Sequence, residues 1–97
     1  MMAARTGDDR QIFVEDVSVT AAAWATWTAP VETRAVQFQA IGADINVAHE
    51  EDGDTYTVHE LGTLAMNGMP LNRTQFFFRC AEGTGTMQIM YVTGVIA

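Results

Sequence analysis

Apolar and polar residues alternate with a period of two through most of this chain, and short turn signals cut the alternation into pieces. A side chain that repeats every second residue belongs on one face of a strand, so the pattern calls for half-buried β-structure. Thr33–Ile41 is the clearest case: Val36, Phe38 and Ala40 share one face, and Gln37 and Gln39 share the other. Asp44–His49 repeats it with Ile45 and Val47 inward, and Tyr56–Leu61 follows with Tyr56 and Val58 on one face. Between them Glu50, Glu51, Asp52, Gly53 and Asp54 make an acidic turn, and Asp52-Gly53 is a hairpin signal. A hairpin centred there sets His49 opposite Tyr56. Thr86–Thr93 places Met87, Ile89 and Tyr91 on one face and Met90 and Val92 on the other.

The remaining pieces fit the same plan. Gln11–Thr20 is the first strand, with Phe13, Val17 and Val19 inward; the phase slips if Ile12 and Val14 face in instead, which calls for a bulge or a two-sided strand. Ala21–Ala23 is expected to form a brief helical turn, and Trp24–Ala29 a short strand ended by Pro30. Thr63–Met66 precedes the turn dipeptide Asn67-Gly68. Thr74–Ala81 holds Phe76, Phe77 and Phe78, too continuous an apolar run for a strand with one wet face, so it should be central and covered on both sides, or covered by a neighbouring subunit. Twelve Thr and nine Val against three Leu and no Lys favour strand over helix. About eight short strands with regular turns imply an all-β fold, an antiparallel β-sandwich of jelly-roll type, with an immunoglobulin-like sandwich as the nearest competitor. Residues 11–97 form one domain, and Met1–Arg10, which lacks periodicity, reads as an N-terminal arm.

Charge excludes several functions. Twelve acidic and five basic residues give a formal net charge of -7. Nucleic acids and anionic membranes are held by dense Lys and Arg, so neither is an expected partner. The single Cys80 cannot make an intrachain disulfide, no apolar segment reaches the length of a membrane span, and Met1–Arg10 lacks the core of a secretory signal. The expectation is a soluble protein made in a reducing cytosol. A domain of this size buries only about two-thirds of its unfolded surface, which makes burial against a second subunit useful.

Chemistry is sparse. His49 and His59 have no metal-ligand spacing and read as exposed strand-end side chains. The acidic turn departs from the order of a Ca²⁺-binding loop. Cys80 continues the Phe76 and Phe78 face and reads as core. Gly83-Thr84-Gly85-Thr86 lacks the Lys and following helix of a phosphate loop. The residues call for no catalysis, cofactor or metal. Trp24 and Trp27, three apart on a strand, point to opposite faces, so at most one is core and the other is free to anchor a partner. Arg5 and Arg10, as salt-bridge donors on the arm, and Met69, beside the Asn67-Gly68 turn, are the other candidate interface residues.

Several segments together resemble small β-sandwich virion proteins of tailed bacteriophages. These are Trp24 to Pro30, the Asn67-Gly68-Met69-Pro70-Leu71 turn, the Thr74 to Arg79 aromatic run and the closing Gln88 to Gly94. The resemblance spans roughly residues 12–97 and consists of shared style. It implies a capsid cement or decoration protein on the outer surface of the virion. Such a protein binds the major capsid protein at joints between shell subunits and acts as a dimer or trimer. A carbohydrate- or receptor-binding module of a tail or fibre is the alternative.

Overall fold

A computed structural model describes residues 11–66 and 74–94. The arm with Arg5 and Arg10, and the turn with Met69, lie outside the described residues. The eight strands are β1 (Gln11–Thr20), β2 (Ala25–Thr28), β3 (Thr33–Ile41), β4 (Ile45–Ala48), β5 (Tyr56–Val58), β6 (Thr63–Met66), β7 (Gln75–Cys80) and β8 (Thr84–Thr93). They form two four-stranded antiparallel sheets with orders β1-β8-β3-β6 and β2-β7-β4-β5. This is the jelly-roll order, and it sets the immunoglobulin alternative aside. Among the eight, β4 and β5 are the one consecutive pair joined by hydrogen bonds; every other connection crosses between sheets. Among the described residues no helix is long and apolar enough to cross a membrane.

The core lies between the sheets, because each strand offers one face of its alternation to the other layer. From the first sheet come Val19, Val36, Phe38, Ala40, Met87, Ile89 and Tyr91, and from the second Trp27, Ile45, Val47, Val58, Phe76, Phe78 and Cys80, all buried. Five aromatic rings interlock across the gap. Trp27 meets Phe38 edge-on at 6.0 Å, stacks on Phe76 at 6.0 Å and tilts against Tyr91 at 5.4 Å. Phe38 in turn meets Phe76 at 5.1 Å and Phe78 at 5.3 Å, both edge-on. These are the offsets that ring quadrupoles prefer. β7 is central in its sheet, as its aromatic run requires: Phe76 and Phe78 face the core, and Phe77 faces out under the Trp24 ring.

Several sequence expectations are corrected. Ala21–Ala23 is a bend rather than a helical turn, since Ala21 N–H bonds the Gly83 carbonyl of another connection at 3.0 Å. β1 has no bulge; it pairs with β8 without interruption from Gln11 to Thr20, and the register shift falls in β3 between Thr33 and Ala35. The fifth strand stops at Val58 rather than Leu61, because Leu61 takes a left-handed φ of 65° and bonds the Ala40 carbonyl at 2.7 Å. Val47, not His49, lies opposite Tyr56. The turn between β4 and β5 is therefore centred on Glu51-Asp52, one residue before Asp52-Gly53; Gly53 N–H bonds the Glu50 carbonyl at 3.1 Å, and Asp52, at φ 60°, adopts the left-handed conformation.

Glycine is required at one corner. Gly42 turns β3 toward the opposite sheet with φ 89°, a region costly for other residues. Gly85 lies against this corner, and a Cβ there would sit 2.9 Å from the Ile41 carbonyl oxygen.

Phe38 sits at the centre of the ring cluster with no exposure. Phe38→Ala is expected to lower unfolding free energy by about 3–5 kcal/mol, read by urea denaturation; a loss below about 1 kcal/mol would contradict the interlock as described.

Candidate functional site

The strand register sorts the outer face of the first sheet into rows. Ile12, Val92 and Ala35 form the end row; Val14, Met90, Gln37 and Ala65 form the next. Asp16, Gln88, Gln39 and Thr63 follow, and then Ser18, Thr86 and Ile41. The two rows at the β1 N-terminal end are thus almost wholly apolar, although they face outward. Ile12 is 69% exposed, Val14 59% and Met90 40%. A hollow of about 120 Å³ opens among Ala35, Gln37, Ala65, Met66, Met90 and Val92. At strand spacings of about 4.8 Å and residue pairs of about 6.8 Å, the two rows cover roughly 230 Å² of contiguous outer surface.

Across these four rows Asp16 is the one charged residue. Most other described acids lie in connections: Glu32, Asp44, Glu50, Glu51, Asp52, Asp54, Glu60 and Glu82. Among the described residues the acids concentrate in the connections, and these four rows are left almost neutral, so desolvating them costs little.

Glu15 is the exception in position and in role. It shares the parity of Phe13 and Val17, so its carboxylate points toward the sheet gap. There it accepts a hydrogen bond from Tyr91 Oη at 2.6 Å and one from Trp27 Nε1 at 3.1 Å. One carboxylate thereby ties the edge strand β1 to both β8 and β2. The Glu15 contact, with burial, pushes the Tyr91 hydroxyl up to about 12. Phe13, though inward by parity, is 38% exposed and stacks on Tyr91 at 5.2 Å just outside the closed part of the sandwich. Sequence reasoning passed over Glu15; its odd-numbered parity with Phe13 and Val17 was the signal.

The tryptophans occupy opposite faces. Trp27 is in the core. Trp24 is half-buried on the outer face of the second sheet, edge-on to Phe77 at 6.4 Å and capped by the Arg79 guanidinium at 5.7 Å. Its Nε1 is buried with no partner. Arg79 is itself held by the Ala21 carbonyl at 3.0 Å. The ring is thus engaged by its own chain, through Arg79 over it and Phe77 edge-on.

The two histidines are not brought together. His49 is exposed and leans on Phe76 at 5.0 Å. It rims a cleft of about 270 Å³ with Asp54, Tyr56, Leu64 and Met66. His59 lies 3.4 Å from Asp44, whose other oxygen accepts the Glu60 N–H at 2.7 Å. That backbone hydrogen bond, followed by His59, holds the Asp44 carboxyl below its ordinary value. Among the described residues no group of three or more His, Cys, Asp or Glu side chains could hold a metal ion. Cys80 is 2% exposed with Sγ 3.5 Å from the Val19 carbonyl, and burial pushes its thiol up.

In comparisons with known proteins, no family model matches the chain, and no curated protein or solved structure is significantly similar to it.

Two titrations test this geometry. Because the Tyr91 pKa is raised above its ordinary value of 10.0 to about 12, its stabilising effect is fully present below 10 and lost as pH rises through 12. A tyrosinate absorbance step near 12 is expected, absent in Tyr91→Phe and shifted down in Glu15→Gln. Asp44 works in the opposite sense. Its depressed pKa adds stability above the ordinary value of 3.8, which is lost as pH falls through the folded value. Asp44→Asn should therefore flatten the acid side of a plot of melting temperature against pH; an unchanged slope would refute the assignment.

Proposed function

We propose that this chain is a non-enzymatic structural protein that docks onto a larger assembly through the apolar end of its first sheet. The observation that carries the reading is the outward-facing pair of rows built on Ile12, Val14, Met90 and Val92, on a sheet face with a single charge. A rigid sandwich that exposes its apolar side chains gains by burying them against a neighbour. The acidic connections stay solvated at either end and keep the unbound protein soluble.

The resemblance to phage β-sandwich virion proteins gives this docking a concrete form. In it the chain is a capsid cement or decoration protein, made in the host cytoplasm and placed on the outer capsid surface. Its apolar rows lie against the major capsid protein at joints between shell subunits. Many modest contacts on one particle add up through multivalency, which suits a component that resists internal pressure. The acidic charge supports an outward position, away from packaged nucleic acid. The glycan-binding alternative draws less support from the tryptophans, since Trp27 is core and Arg79 already lies over the Trp24 ring.

The test is stoichiometric binding to particles that lack the protein, read by co-sedimentation. Wild-type protein is expected to saturate the particles at a fixed ratio to the shell subunit. Met90→Glu places a carboxylate in the middle of the apolar rows and should weaken binding by about 10–100-fold with the fold unchanged by circular dichroism. Equal binding by wild type and Met90→Glu would remove this face from the mechanism.

A further inference from the structure

The edges of the two sheets are unequal. β6, β2 and β5 contain four, four and three residues, the short edges that blunt strand-to-strand association. β1 contains ten, and among the described residues it is paired along its whole length with β8 on one side alone. Natural long edges carry Lys, Pro or a bulge to discourage pairing. β1 has no Lys, no Pro and no register shift. Its one inward charge, Glu15, is already engaged by Tyr91 and Trp27, so it does not act as a deterrent. The exposed apolar residues of the strand are concentrated in its first half, at Ile12, Phe13 and Val14.

We propose that β1 pairs antiparallel with β1 of a second copy of this chain. The result is a two-fold dimer in which the two first sheets join into one continuous sheet of eight strands. Symmetry restricts the register. Residues directly opposite one another must point to the same face, so the two-fold axis passes through a residue and not between two. An axis through Glu15 or Asp16 sets two like carboxylates face to face, which is destabilising. An axis through Val14 sets Ile12 against Asp16 and Phe13 against Glu15. An axis through Phe13 sets Ile12 against Val14 on the outer face, Phe13 against Phe13 on the inner face and Glu15 against Gln11. Only this last register gives each exposed apolar residue an apolar partner and keeps every carboxylate away from another. A second copy is the occupant whose chemistry the edge matches, because this segment is complementary to itself.

In the dimer the outer sides of Ile12, Val14, Met90 and Val92 remain on the same surface, so the apolar rows of the two copies become one continuous docking face. This gives the oligomeric part of the proposed function a specific interface. It can be tested without any shell, so the dimer and the docking can each fail alone.

The experiment is light scattering after size exclusion on the purified full chain, at micromolar concentration, for wild type and two double variants. Wild type is expected to run as a dimer. Ile12→Glu with Val14→Glu places like charges opposite each other at both symmetry-related pairs and should give a monomer. Ile12→Lys with Val14→Glu places Lys opposite Glu at the same pairs and should restore the dimer, with mass falling again at high salt. All these positions are exposed, and circular dichroism checks that each variant is folded. As a second reading, Phe13→Cys should cross-link to itself under mild oxidation, because the native Cys80 is buried. A monomeric wild type, a dimer that survives the double Glu variant, or absence of the Phe13→Cys cross-link would each overturn the proposed pairing.

Discussion

The contact on which the rest of this structure depends is the interlock of Trp27, Phe76 and Phe78 from one sheet with Phe38 and Tyr91 from the other. A 97-residue sandwich has a thin core, and these rings supply most of its large buried side chains. They also fix the stacking of the sheets. A slip of one residue in β3 or β7 would turn Phe38 or Phe78 out to solvent, so the ring cluster and the strand registers determine each other. The polar contacts are hung on this frame. Glu15 finds its two donors because Trp27 and Tyr91 are already packed against each other at 5.4 Å, with their polar ends toward the same gap.

Much of the fold was legible because alternation is a local signal. β1, β3 and β6 begin and end where the side-chain pattern places them, and the central position of β7 follows from three consecutive Phe residues. Local signals failed where the chain had to turn between sheets. At Leu61 an apolar residue that continues the pattern of β5 instead takes a left-handed conformation, because the short connection to β6 must bring its N–H to the Ala40 carbonyl. A sequence pattern carries hydrophobicity; it does not carry the demand of a distant carbonyl. In the acidic turn the positive φ went to Asp52, while Gly53 donates its N–H to the Glu50 carbonyl at 3.1 Å and, lacking a Cβ, leaves room for the Glu50 side chain.

The candidate site was only partly readable. That Met90 and Val92 face away from Met87 and Ile89 is evident from parity alone. That Ile12 and Val14 join them on one surface requires knowing that β1 pairs with β8, a contact between opposite ends of the chain. Trp24 shows the converse. Its spacing from Trp27 placed it correctly on the other face, but Arg79 and Phe77 reach it through the β2–β7 pairing. An exposed aromatic in the sequence became a half-covered one in the fold.

Charge placement joins these features into one mechanism. Net charge of -7 on so small a chain opposes any close approach of copies if it is spread evenly. Here the described acids gather mainly in the connections, while Ile12, Phe13, Val14 and the two outer rows built on Ile12 and Val14 hold none. At physiological ionic strength the field of those connections fades over about 8 Å. Repulsion from those connections is therefore short-ranged and does not reach far across the neutral face. The proposed association would put the face or edge of the first sheet inward and leave the acidic connections in water. A single new carboxylate in the apolar rows acts on that orientation more strongly than one added to a connection, since it alone must be desolvated when the surfaces meet.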